Sequence, residues 1–231
     1  MIQNQKQTAI LLFAYSSKKE ANHKVFDNSE QLFQELNQKT LVKAQKTGVD
    51  VLVISEKEQI GVTFGERFTN AIQEAFNKGY SQVITIGNDS PKLKTSHLLK
   101  ALNNLQDEKA TLGPSFDGGT YLIAIKKEHF SKEIFKSIAW NTRKVFSELK
   151  KYLAKQNIVI EQLGYLADID SKKDISFFVD QLKFSFLLLK ELTTSTATKV
   201  LFYFNSFYTS KAYSYHFFNK GSPLTLITIN R

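Results

Sequence analysis

The chain alternates short apolar runs with longer segments whose apolar residues recur every three or four positions. The runs cover residues 8–15, 49–54 and 82–86, and each is continuous enough to be a strand buried on both faces of a parallel sheet. Between them, residues 29–46 and 66–78 carry apolar side chains at helical spacing. This order predicts a doubly wound α/β fold with helices on both faces of the sheet.

The pattern changes after residue 110. Residues 111–114 (TLGP) and 120–125 (TYLIAI) resemble strands, but five residues between them are too few for a crossover helix, so we expect an antiparallel or splayed strand. The later patterns predict a helix, a strand and a helix at residues 142–155, 158–163 and 173–192. The prediction is a three-layer α/β/α domain with a mixed, mainly parallel sheet over residues 1–192.

Residues 193–231 differ in composition, because they contain no Asp or Glu and are rich in Phe and Tyr. Aromatic residues favour strands, so we expect a C-terminal extension of strands that covers a sheet edge or joins two subunits in a homodimer. A basic aromatic platform for sugars, single-stranded nucleic acid or an anionic membrane is the alternative.

Composition narrows the possible chemistry. The chain has 231 residues, 42% hydrophobic and 23% charged, which is typical of globular proteins. It has no Cys, and its four His show no ligand spacing, so a metal ion would have to bind to carboxylates. The net charge of +9 suits anionic partners such as nucleotides, whereas the even spread of lysines argues against nucleic acid.

The N-terminal apolar run is short and lacks a cleavage site, so it indicates a first strand rather than a signal peptide. No apolar stretch approaches the roughly 18 residues that span a bilayer. We therefore predict a cytoplasmic protein without a transmembrane segment.

Asp89 is the first candidate site residue, because ligands of open α/β sheets bind beyond the carboxyl ends of the strands. It follows the third apolar run, and Pro91 keeps Ser90 out of the helical region, which fixes the turn. A cap before a helix beginning at Thr95 explains the same residues equally well.

Asp117 is the second candidate. The glycines that follow it, Gly118 and Gly119, permit positive φ and a close approach of the backbone to a ligand. The same Asp-Gly pair is also a strong signal for a tight hairpin turn.

Asp168 and Asp170 are the third candidates, since alternation along an extended segment points both to one side. Ser171 and Asp174 also form a helix start, which leaves Asp168 unexplained. Acidic residues after several strands together predict a Mg²⁺ or Mn²⁺ site for a phosphorylated ligand.

Several segments resemble a bacterial family of glycosyltransferase-like proteins with the GT-A, or nucleotide-diphospho-sugar transferase, fold. These segments are TFGERFTNA, VITIGNDSP, LGPSFDGGTYLIAI, IAWNT and DIDSKKDI. The resemblance covers roughly residues 8 to 180 and extends, more distantly, to sugar-nucleotide and cofactor nucleotidyltransferases.

The resemblance implies a metal-dependent glycosyltransferase that uses a nucleoside diphosphate sugar. It assigns a divalent metal to Asp89 with Asp168 or Asp170, and the catalytic or substrate-orienting role to Asp117. It also implies nucleotide or substrate contacts by residues along the cleft, namely Asn88, Asp89, Arg67, Gly118, Gly119 and Trp140. An ordinary helix-surface role for Arg67 and a packing role for Trp140 are the alternatives.

One segment departs from the family pattern. Related transferases follow the first strand with a basic, glycine-containing loop that wraps the phosphates, whereas residues 15–24 here contain no glycine, proline or arginine. Lys18, Lys19 or Lys24 could supply charge, but a lysine does not replace a cradle of backbone amides. A degenerate, inactive nucleotide-binding or assembly module of the same fold is therefore the alternative function.

Overall fold

The computed structural model describes residues 7–175 and Phe178. Most of the helix predicted at residues 173–192 and the predictions for residues 193–231 therefore lie outside the described part of the chain. A six-stranded sheet with the order β2-β1-β3-β5-β4-β6 forms its centre. The strands are β1 (Thr8–Phe13), β2 (Asp50–Ile54), β3 (Gln82–Ile86), β4 (Ala110–Pro114), β5 (Thr120–Lys126) and β6 (Ile160–Gln162).

Helices connect most of the strands. They are α1 (Ser17–His23), α2 (Ser29–Gln45), α3 (Phe64–Asn77), α4 (Thr95–Gln106), α5 (Lys132–Ser137), α6 (Val145–Ala154) and α7 (Lys172–Ile175), with a 3₁₀ turn at Lys127–His129. Among the described residues, no helix combines the length and hydropathy that a membrane span requires.

The sheet is mixed, as predicted. β1 is parallel to β2 and β3, and β4 is parallel to β6. β5 is antiparallel to both β3 and β4, because the five residues before it can only reverse the chain. The carboxyl ends of the other five strands consequently lie at one edge of the sheet.

Side chains along the strands alternate between two apolar layers. Leu11 and Val83 join α3, α5 and α6 on one face of the sheet. Ile10 and Ile84 join α2 and α4 on the other. These two layers and the sheet confirm the predicted α/β/α arrangement. A third cluster joins α2 to the last described segment through Leu32, Phe33, Leu36, Ile169, Ile175 and Phe178.

Local signals explain where the helices begin and end. The hydroxyl of Thr63 accepts from the N–H of Glu66, and the Glu66 carboxylate accepts from the N–H of Thr63, so α3 starts two residues before the apolar pattern. Gly48 and Gly79 follow α2 and α3 with φ of 80° and 93°, in the left-handed region that glycine adopts where helices end.

Candidate functional site

Acidic residues follow three strands at the carboxyl edge of the sheet. Asp89 comes after β3, Asp117 after β4, and Asp168 and Asp170 after β6. The β4–β6 pairing continues beyond the strands, since the N–H of Leu166 donates to the Pro114 carbonyl at 3.1 Å. The fold thus brings together carboxylates that lie about eighty residues apart in the chain.

The side chain of Lys24 lies in the middle of these carboxylates. Its Nζ is 3.5 Å from Asp89 Oδ2, 3.5 Å from Asp170 Oδ1 and 3.3 Å from Glu20 Oε1. It also donates to the Ile169 carbonyl at 2.8 Å. One ammonium group therefore faces three carboxylates, and we call these four residues with Asp168 the carboxylate cluster.

Helix α1 is what brings Glu20 and Lys24 into the cluster. The Ser16 hydroxyl caps its first turn, and the Ser16 N–H and hydroxyl donate to the Glu56 carboxylate at 2.7 and 2.6 Å. Those bonds lower the pKa of Glu56. A short helix thus follows β1, where the resemblance implies a phosphate loop. Sequence reasoning missed Glu20, although its i,i+4 spacing to Lys24 is a recognisable helix signal.

Charge and burial compete at Lys24. Burial alone lowers the pKa of its ammonium, but the carboxylates of Asp89, Glu20 and Asp170 raise it above the ordinary value. Burial also raises the pKa of Glu20, and Lys24 offsets only part of that rise. The ammonium is thus held in its charged form by the carboxylates around it.

Asp168 lies behind the ion pairs. It accepts a very short hydrogen bond from the Ser90 hydroxyl. Burial, followed by the negative charge of Asp89, raises the pKa of Asp168 to about 8, although the hydroxyls of Ser90 and Ser115 oppose the rise. The Asp168 carboxyl consequently releases its proton at a higher pH than an ordinary carboxyl does.

The segment Asp117-Gly118-Gly119 forms the turn between β4 and β5. The Asp117 carboxylate accepts from the Gly119 N–H at 2.9 Å, and Gly118 has a φ of 89°. A Cβ on Gly118 would meet the backbone of Arg143, with its Cα at 2.7 Å. Both conditions require glycine at position 118. Asp117 is exposed at the same edge as the cluster, and its charge adds to the rise in the Asp168 pKa.

Asn88 holds the loop that carries Asp89. Its side chain is 5% exposed, and its Nδ2 donates to Asn37 Oδ1 at 2.6 Å. Asn37 in turn donates to the Tyr15 carbonyl at 3.1 Å, so α2 ties the loops after β1 and β3 together.

Arg67 connects the loops before α3 and after β1 through hydrogen bonds. Its guanidinium donates to Gln59 Oε1 at 3.3 Å, to the Val62 carbonyl at 2.8 Å and to the Tyr15 hydroxyl at 3.2 Å. These contacts span the start of α3 and the end of β1.

Trp140 has the contacts of a packing residue. Its ring lies 5.6 Å from the Phe64 ring and 4.8 Å from the Phe68 ring, and its Nε1 donates to the Phe135 carbonyl at 2.6 Å. A Cβ on Gly65 would come within 2.6 Å of the indole. Trp140 thus packs tightly over the start of α3.

The described part of the chain contains no group of three or more His, Cys, Asp or Glu side chains arranged to hold a metal ion. Two carboxylates, those of Asp89 and Asp170, flank one cation-sized position, which is filled by the Lys24 ammonium. Mg²⁺ in enzymes often binds one or two carboxylates together with water and substrate phosphates, so this pair of carboxylates has the chemistry of a divalent-metal ligand set.

The chain matches a sequence profile of bacterial proteins over residues 22–142. The profile's family is described as "Uncharacterized protein conserved in bacteria (DUF2064)". No curated protein matches the chain.

The structure is similar to that of a candidate nucleotide-diphospho-sugar transferase from Desulfovibrio desulfuricans G20. The two are 24% identical with a TM-score of 0.68, over 85% of this chain and 97% of the other. This similarity shows the nucleotide-diphospho-sugar transferase fold.

Two further structures are less similar. The 4-diphosphocytidyl-2C-methyl-D-erythritol synthase from Anaerococcus prevotii DSM 20548 has a TM-score of 0.47 at 11% identity, over 78% of this chain and 98% of its own. The manganese complex of Rv0371c from Mycobacterium tuberculosis H37Rv has a TM-score of 0.45 at 10% identity, over 75% and 98%. Both TM-scores are below 0.5, so neither structure bears on the site.

Proposed function

The chain belongs to the bacterial family DUF2064, and from that premise and the geometry around Asp89 we propose that it is a metal-dependent glycosyltransferase that uses a nucleoside diphosphate sugar. The observation that carries the proposal is the meeting of Asp89 and Asp170 around one cation, with both carboxylates 3.5 Å from it. The meeting point lies beyond the carboxyl end of β3, where open α/β sheets bind nucleotides.

A divalent cation, Mg²⁺ or Mn²⁺, would bind to Asp89 and Asp170. When bound, it would neutralise negative charge that builds on a diphosphate leaving group. Asp168 supports this pair through the loop that carries Asp89, since its carboxylate accepts a hydrogen bond from the Ser90 hydroxyl. Lys24 ends its helix on a flexible stem, so its ammonium can leave the carboxylates and pair with a substrate phosphate instead.

The other predicted residues divide into two roles. Asp117, with Gly118 and Gly119, is exposed at the edge of the cluster and would orient the acceptor or accept its proton. Asn88 and Arg67 act as positioning residues, because their hydrogen bonds hold the loops on either side of the nucleotide position. Trp140 supports the start of α3 by packing, and these contacts favour the packing alternative over a direct substrate contact.

Calorimetric titration with nucleoside diphosphates and their sugars, each with and without Mn²⁺, tests the proposal. We expect binding that depends on Mn²⁺, and a loss of about tenfold or more in affinity for Asp89→Asn and Asp170→Asn. Asp107→Asn, at the exposed end of α4, is the matched control and should bind like the unmodified protein. If no nucleotide binds, or if Asp89→Asn changes only stability, the proposal is wrong.

A second function is favoured by Lys24 itself. The Lys24 ammonium already neutralises part of the negative charge of the carboxylate cluster. A binding or assembly module that has lost catalysis would therefore need no metal ion at this position. Long incubation with the sugar nucleotide that binds best separates the two functions. Binding without Mn²⁺ and without transfer or hydrolysis favours the module, whereas release of a nucleoside diphosphate favours the enzyme.

A further inference from the structure

A cavity of about 800 Å³ lies between α2 and the segment that leads from β3 into α4. Six of the side chains that line it are basic, namely Lys39, Lys43, Lys46, Lys92, Lys94 and His97. None of the described residues that line it is acidic. We propose that this cavity, the α2/α4 basic pocket, binds the phosphate group of an organic phosphate, independently of the carboxylate cluster.

Helix α2 supplies one wall of the pocket. Lys39, Lys43 and Lys46 are spaced four and three residues apart, so they share one face of the helix. Like charges at this spacing destabilise a helix. Glu35 pairs with Lys39 at 2.5 Å, one turn before the pocket. A phosphate bound between the lysines would relieve the remaining repulsion.

The opposite wall is held in place by hydrogen bonds. The Lys43 ammonium donates to the Pro91 carbonyl at 3.1 Å, and the Thr95 hydroxyl donates to the Lys43 carbonyl at 3.2 Å. These bonds fix the chain before α4 against α2. The two walls are thus held together before any ligand arrives, which lowers the entropic cost of binding.

The start of α4 adds to the positive potential. Its first turn contains no acidic residue, and the partial positive charge of the helix N-terminus favours an anion there. The Lys94 N–H donates to His97 Nδ1 at 3.3 Å. This bond leaves the proton of a neutral His97 on Nε2, where it can be donated to a phosphate oxygen.

The apolar side chains that line the pocket are Val42, Pro91, Leu93 and Leu166. A surface that pairs basic side chains with apolar contact area suits a phosphate ester better than a bare inorganic anion. The volume falls in the range of small-molecule sites, roughly 300–1,000 Å³.

Burial and neighbouring positive charges both lower pKa values in the pocket. Burial, then Lys94 and Lys43, lower the pKa of His97. Burial and Lys39 lower the pKa of Lys43. Bound phosphate would counteract the charge contribution at both residues.

The test uses the full chain in EDTA, which removes metal-dependent binding, with inorganic pyrophosphate as the probe. We expect a saturable shift of the His97 ring resonance in NMR. Lys92→Gln with Lys94→Gln should weaken the affinity by about tenfold, and since both residues are exposed the fold survives. Asp89→Asn should leave this binding unchanged, which separates the pocket from the carboxylate cluster.

Lys78→Gln with Lys100→Gln is the matched control, because it removes the same charge from exposed helix positions elsewhere. An equal loss of affinity in this control, or no shift of His97, would overturn the proposal. Sedimentation with phosphatidylcholine vesicles that contain phosphatidylglycerol identifies the source of the phosphate. Sedimentation that pyrophosphate inhibits indicates a lipid headgroup, and pyrophosphate binding without sedimentation indicates a soluble organic phosphate.

Discussion

Lys24 and Asp168 show what single residues contribute to the cluster and how far a sequence reveals it. Asp89 was predicted from the sequence because it follows an apolar run, and Asp168 and Asp170 were predicted because alternation along an extended segment points both to one side. Lys24, which pairs with Asp89 and Asp170, was considered only as a substitute for a phosphate loop, since the 145 positions that separate Lys24 from Ile169 leave no local pattern. Spacing likewise does not encode the hydrogen bond between Ser90 and Asp168 or the ion pair between Lys24 and Asp170.

Replacing Lys24 with Met should destabilise the protein by about 2 kcal/mol. The change removes the cation that three carboxylates share. Because the side chains of Asp89 and Asp170 are 35% and 37% exposed, water solvates them and limits the loss of stability. Addition of Mn²⁺ should restore much of the loss. Urea unfolding with and without Mn²⁺ measures both effects.

Lys78→Met is the control for this change, since Lys78 pairs with Glu74 on an exposed helix surface. It should alter the free energy of unfolding by less than about 0.5 kcal/mol. Equal stability of the two variants would show that Lys24 is not the counter-ion of the cluster.

Asp168 predicts a dependence of stability on pH. Its pKa is about 8 in the folded protein, against an ordinary value of 3.8. Between these values the folded state retains a proton that the unfolded state has lost, so the contribution of Asp168 to the free energy of unfolding falls as the pH rises from about 4 to 8. Asp168→Asn, which carries no titrating group, should flatten this dependence.

Urea unfolding in EDTA at several pH values between 4 and 8 tests the Asp168 prediction. Asp107→Asn, exposed at the end of α4, should keep the slope of the unmodified protein. A slope that persists in Asp168→Asn would assign the pH dependence to other groups.

At the scale of helices and strands, long periodic segments were predicted well. Helix α2 was expected at residues 29–46 and is Ser29–Gln45, and the reversed β5 followed from its short connection. Helices α1 and α5 were not predicted, because seven and six residues are too short to show an apolar period. Ser16 fixes the start of α1 through contacts with Glu56, which only the folded sheet provides.

Gly118→Ala should destabilise the β4–β5 turn by about 2–3 kcal/mol. The substitution combines a positive φ with a collision against the Arg143 backbone. Gly48→Ala separates these effects, because Gly48 has a φ of 80° but nothing within 4 Å of its Cβ position. The Gly48→Ala substitution should lower the free energy of unfolding by only about 1 kcal/mol. Thermal unfolding compares the variants, and equal costs would mean that the Arg143 contact relaxes freely.

At the scale of the whole molecule, the sequence predicted the three layers of the domain but not the packing of the last described segment on α2. Ile169, Ile175 and Phe178 pack on Leu32, Phe33 and Leu36 of α2. This cluster lies beside the cation and the carboxylates, since Ile169 also accepts from Lys24. The segment after β6 therefore completes both the apolar core and the polar site.

Two truncations test the predicted domain boundary. A chain that ends at residue 192 should fold cooperatively, since it keeps the apolar cluster on α2. A chain that ends at residue 165 exposes several large side chains, each worth about 1.5–3 kcal/mol, and should be largely unfolded. Circular dichroism during urea unfolding compares them. Failure of the longer chain would show that residues 193–231 belong to the core.

The backbone bond between Ile169 and Asp89 makes one amide a reporter of the site. The Ile169 N–H donates to the Asp89 carbonyl at 2.8 Å, and the Ile169 side chain is fully buried. Its hydrogen can exchange with solvent only when the segment after β6 lifts away from the Asp89 loop. The exchange rate of this single proton thus measures how often the segment after β6 separates from the Asp89 loop, without any substrate or assay of turnover.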